Sequence, residues 1–155
     1  MLRLVASLNW LIGCLAVAVA VAYPFYYQAQ VATAKTAASA AMDQIVQAER
    51  LKAFEPNGNV VYFRTNQQGI ISGTLGVPLK DAAANFVYDA YSDKTHTLVL
   101  RAMTSDAAMR AGQAPLLYTY AVGDVSGFPK EGGHAEGSWE RLSGQSVGLL
   151  ALVGL

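Results

Sequence analysis

Acid is missing from the start of this chain: no aspartate or glutamate precedes Asp43, and residues 4–22 carry no charge of either sign. Charge is scarce throughout, at 14% of 155 residues, against 53% hydrophobic. Lys+Arg and Asp+Glu balance at 11 each, so no basic excess argues for nucleic acid and no acidic excess for a cationic partner. A single cysteine, Cys14, excludes an intrachain disulfide. Histidine occurs only at positions 96 and 134, which leaves little material for acid–base or metal chemistry. Internal repeats and linkers are also missing.

The uncharged run is the strongest positive signal. Residues 4–27 number about two dozen, and at about 1.5 Å each they reach about 36 Å. A bilayer's hydrocarbon core is about 30 Å thick, so this stretch can span it with modest tilt. Arg3 is placed to snorkel to the near headgroups, and Tyr23, Phe25, Tyr26 and Tyr27 suit the far interface. Ala16 and Ala20, or Ala18 and Ala22, supply small-xxx-small spacing for close helix contact. The charge asymmetry around the span favours an N-terminus in the cytoplasm and the rest of the chain outside it. Two processing alternatives stand beside retention as a span. Ala20-Val21-Ala22 suits signal-peptidase cleavage, and Leu11-Ile12-Gly13-Cys14 matches a lipobox in letters.

Pro24 marks a change of character, since it removes one helical hydrogen bond. Beyond it, Val31, Ala34, Ala38, Ala41, Ile45, Ala48 and Leu51 recur at three- and four-residue spacing, the pattern of an amphipathic helix. Glu55-Pro56-Asn57-Gly58 should stop it near Phe54. The remainder predicts short strands over residues 59–64, 69–77 (broken by Gly73), 86–91, 95–103 and 116–122. The runs 86–91 and 95–103, joined by Ser92-Asp93-Lys94, make the best hairpin, with His96, Leu98 and Leu100 on one face. A short helix is expected over 105–111, capped by Ser105 or Asp106 and stopped by Gly112. Residues 123–145 read as loop-rich, and the uncharged tail 146–155 as a segment to be buried. The fold class is therefore α+β: one long helix on a small antiparallel sheet. Its three stretches are 1–27 (membrane half of the helix), 28–55 (amphipathic continuation) and 56–155 (globular, β-rich).

No catalytic constellation is present, and an enzyme is not expected. His96 reads as a residue at the edge of the core. Glu131, His134 and Glu136 are metal-ligand types on one glycine-rich loop, but they match no zinc spacing, and a solvated loop is the plainer reading. Ser138, Ser143 and Ser146 have no partnered base and no nucleophile elbow. The glycines form no phosphate-binding pattern. No cofactor or metal is expected.

The stretch AYPFYYQAQVATAKTAASAA, residues 22–41, is similar to the middle of the first helix in type IV pilins and the pseudopilins of type II secretion. FVYDAYSDKTHTLVLRA (86–102), and YTYAVGDVSG (118–127) with GSWERL (137–142), resemble that family's sheet more loosely. The resemblance implies a structural subunit that assembles with its own kind through Ala16, Ala20, Pro24, Tyr27, Ala34 and Ala38. It also implies membrane lipid as a second partner. The place implied is a bacterial inner membrane with the globular part in the periplasm, or outside the cell within a filament. Some pseudopilins hold calcium in a late loop, where Asp124, Glu131 and Glu136 are the oxygen donors here. Two features depart from the family. Gly13 lies inside the apolar run rather than before it, and no glutamate follows early in the helix, where Ser7 and Asn9 are the polar residues. These departures suit either a processed end at Met1 or a divergent, uncut relative, and some minor members of the family lack that glutamate. The alternative function is a single-pass, membrane-anchored periplasmic binding or sensing domain, or a secreted domain cut near Ala22.

Overall fold

Helical hydrogen bonding begins at Leu2 and carries on to Ala53, a single α-helix (α1) that passes through Pro24. The computed structural model describes residues 2–65 and 75–142, and the side chains of all of these except 2–9 and 65. Two compact units divide the chain, Met1–Thr33 and Ala34–Leu155. The first is the apolar half of α1. The second holds the rest of α1 and everything after it.

Within the second unit come five strands: β1 (Phe63–Thr65), β2 (Phe86–Tyr91), β3 (Leu98–Thr104), β4 (Leu116–Val122) and β5 (Ser138–Arg141). They form one antiparallel meander in the order β1-β2-β3-β4-β5. Two short helices interrupt it, α2 (Asp81–Ala84) and α3 (Asp106–Arg110). Ser105 caps α3 by accepting from Ala108 N at 3.2 Å. The helix stops at Ala111, and Gly112 turns with φ +89°.

The register places Phe86, Tyr88 and Ala90 beside Thr104, Ala102 and Leu100. Tyr118, Tyr120 and Val122 of β4 pair in turn with Ala102, Leu100 and Leu98. All of these are buried. They form the sheet face that covers α1, whose buried residues are Ala38, Ala41, Met42, Ile45, Val46 and Glu49. β3 is central, and its opposite face is largely buried too, so its burial does not follow the alternation read in the sequence. On that opposite face Asp89 pairs with Arg101, which also lies over the Tyr91 ring at 4.5 Å.

Several expectations change. The strand expected over 59–64 shortens to Phe63–Thr65, because Val61 N donates to Glu49 Oε2 at 2.7 Å and is unavailable to a ladder. Leu51, expected in the apolar stripe, is 63% exposed, and the buried face runs through Met42, Val46 and Glu49 instead. His96 is not on the β3 face. Strand pairing starts at Leu98, and the Asp93 carboxylate gathers Thr95 N at 2.8 Å, His96 N at 2.7 Å and the His96 ring at 3.1 Å into a turn. Those donors hold the Asp93 carboxyl down at about 2. The loop-rich stretch 123–145 contains the short turn Val125–Gly127 and β5, which falls within GSWERL. Of the strand expected over 69–77, residues 69–74 lie outside the described residues, and residues 75–77 are not strand. The tail 146–155 lies outside the described residues as well.

Candidate assembly surface

The first unit presents apolar side chains on every side of a helix. Trp10 is 75% exposed and Phe25 70%, with Leu11, Ile12, Leu15, Val17, Val19, Val21, Tyr23 and Tyr26 all more than half exposed. A helix that is apolar all round is suited to lipid or to other helices rather than to water. It is long and apolar enough to cross a membrane. β-branched valines alternate with alanine here, yet the segment is helical, which satisfies its backbone internally as an apolar environment demands. Ala16, Ala20 and Pro24 are exposed, and Tyr27 is half-buried, stacked on Tyr23 one turn away with ring centroids 6.5 Å apart. Pro24 leaves the Ala20 carbonyl without its helical donor. One turn further on, polar side chains fold back onto the helix: Gln30 Nε2 donates to Tyr26 Oη at 2.6 Å, and Thr33 Oγ1 to the Ala29 carbonyl at 2.9 Å.

In the second unit, Ala34 is half-buried and Ala38 is fully buried in that unit's own core. The helix there also carries a polar edge that grips the 130–137 loop. Asp43 accepts from Ala135 N at 2.7 Å and lies 2.7 Å from His134 Nδ1. One turn on, Gln47 Nε2 donates to the carbonyls of Gly133 at 2.9 Å and Lys130 at 3.3 Å. The loop then meets the sheet. Tyr118 Oη donates to the Ala135 carbonyl at 2.7 Å and accepts from Gly137 N at 3.0 Å. Trp139 packs against Tyr118 and Phe86, with Lys35 over its ring at 5.5 Å.

Of the candidate metal residues, His134 and Asp124 have partners of their own, while Glu131 and Glu136 are exposed. His134 is engaged by Asp43, which raises its pKa through the hydrogen bond and then the carboxylate charge. Asp124 caps its own turn by accepting from Ser126 N at 2.8 Å. Among the described residues, no group of three or more His, Cys, Asp or Glu is arranged to hold a metal ion. Ser138 is an exposed residue of β5, while Ser143 and Ser146 lie outside the described residues. Cys14 is exposed on the apolar helix.

Two residues that organise the second unit carried no weight in the sequence. Asp43 reads there as an ordinary polar position. Glu49 sits four residues after Ile45 and eleven after Ala38, on the continuation of the apolar stripe, and that spacing is the signal that could have found it. It is fully buried, and burial pushes its pKa up to about 7.

Set against protein families, curated proteins and solved structures, the chain finds no match in any of the three.

Proposed function

We propose that this chain is a pilin-like structural subunit, anchored in a membrane by the first half of α1 and assembling with further copies through it. The observation that carries the reading is the exposure of large apolar side chains on all sides of residues 10–26, on the same helix whose second half forms the core of a small antiparallel domain. A bilayer covers such a surface in the unassembled chain, and neighbouring helices cover it in a filament. Ala16 and Ala20 allow close approach, Pro24 frees one carbonyl near the membrane boundary, and Tyr27 with its aromatic neighbours sits at headgroup level. Ala34 belongs at the edge of the contact. Ala38, spent inside its own domain, supports the helix instead.

The test uses the full chain expressed in a bacterial membrane. Shearing the cell surface should release it in a high-mass fraction, and mild detergent should extract it as more than one copy. Absence from every sheared fraction, together with single copies in detergent, would replace this reading with that of a single-pass anchored domain.

A further inference from the structure

Glu49 is the one acidic side chain among the fully buried described residues of the second unit. Its Oε2 accepts from Val61 N at 2.7 Å, and its Oε1 has no hydrogen-bond partner among the described residues. A carboxylate in such a place needs a cation, and none of the described ion pairs includes Glu49. On its own helix, Arg50 lies over the Phe54 ring at 5.5 Å and Lys52 pairs with Glu55 at 3.6 Å, so both nearby cations are committed elsewhere. On the sheet face covering the helix, the titratable groups are Tyr88, Tyr118 and Tyr120, which burial keeps protonated. In the connector between helix and β1 they are Glu55 and Tyr62, and the Tyr62 hydroxyl donates to the Thr97 carbonyl at 3.2 Å. Among the described residues, the Val61 N–H is the group that stabilises a negative charge on Glu49, and no cation joins it.

The position also matters mechanically. Residues 54–62 connect the end of α1 to β1, and Val61 N is the connector's hydrogen bond to the buried face of the helix. We infer that Glu49 is a protonation-controlled latch: neutral, it seats the 54–62 connector against α1 through Val61, and ionised, it releases that connector to water. The inference stands on the second unit alone and holds whether or not the chain assembles. It makes the joint between helix and sheet responsive to the acidity of the compartment.

The sign comes from linkage. The Val61 N–H bond by itself favours the ionised carboxyl, but burial outweighs it and raises the group from 4.5 to about 7 in the folded state, so seating is strongest below pH 4.5, weakens as pH climbs from there, and is lost by about 7. Hydrogen exchange of the full chain in detergent micelles reads this directly. The protection factor of the Val61 amide should fall on the order of a hundredfold between pH 4.5 and about 7, then level off, while β3 amides stay protected. Glu49→Gln keeps an acceptor for Val61 N and should hold the protection flat across that range. Flat protection in the wild type, or the same fall in Glu49→Gln, overturns the latch. If the variant does not fold, the carboxyl carbon of Glu49 in the wild-type chain decides by NMR. Titration near pH 7, in step with the Val61 protection, supports the latch, and titration near 4.5 overturns it.

Discussion

His134 Nδ1 lies 2.7 Å from Asp43 Oδ2, a contact between side chains 91 positions apart in the sequence. The same carboxylate takes the Ala135 N–H, so one helical residue holds both a loop backbone and a loop side chain. Because the hydrogen bond to Asp43 raises the folded pKa of His134 above its ordinary 6.5, the ring's share of the clamp is fully present below pH 6.5. It is lost as pH rises through the folded value. Asp43→Asn should move the NMR titration midpoint of the His134 ring down toward 6.5. A midpoint that does not move would mean the pair does not form in solution.

Gly137 passes so close to the Tyr118 ring that a Cβ there would overlap ring atoms and the Thr119 carbonyl. Gly137→Ala should cost ~1–3 kcal/mol, as overpacking does in a tight interior. Gly123 meets nothing within 4 Å of an added Cβ, so Gly123→Ala is the matched control and should be close to neutral. Thermal unfolding of the two variants side by side checks the contrast, and equal midpoints would refute the close approach.

The apolar stripe of the helix can be tested residue by residue. Met42 and Ile45 are fully buried, so truncating either to alanine should destabilise the second unit by ~2–5 kcal/mol. Leu51→Ala should fall within ~0.5 kcal/mol, since that side chain is 63% exposed. Denaturant midpoints of the full chain would show it, and a large loss at Leu51 would put the helix in a different rotation.

That stripe also shows how far the sequence could be read. The long helix, the hairpin of β2 and β3, the Ser105 cap and the strand β4 were all legible, because periodicity and turn chemistry are local. Leu51 and Glu49 were not. At the end of the helix two alternative spacings compete, and hydrophobicity favours the leucine, while the actual face continues through the acid. His96 fell outside its strand because the Asp93 side chain collects the backbone and side chains of Thr95 and His96 into a turn, local bonding that outcompetes alternation. β5 showed only as the loose resemblance of GSWERL to a sheet segment, because its pairing depends on Tyr118, Trp139 and the loop held by Asp43, which lie far apart in sequence. The clamp residues Asp43 and Gln47 look like any polar helix positions until the loop is seen upon them.

The apolar half of α1 makes the clearest demand on its surroundings. Val17 lies mid-run and is 65% exposed, so in a bilayer it faces lipid or another helix. A lysine there puts a charge near the hydrocarbon centre, at a cost of ~2.5–3.5 kcal/mol on insertion scales, which is roughly a hundredfold in partition. Ala40 is also exposed on the same helix, but within the second unit, where a lysine meets water. Val17→Lys should therefore shift the full chain out of the alkali-resistant membrane pellet, while Ala40→Lys leaves it there. The pairing separates anchoring from any general effect of added positive charge. If both variants pellet like the wild type, the segment is not held by hydrocarbon, and the exposed valines and leucines need a protein cover instead.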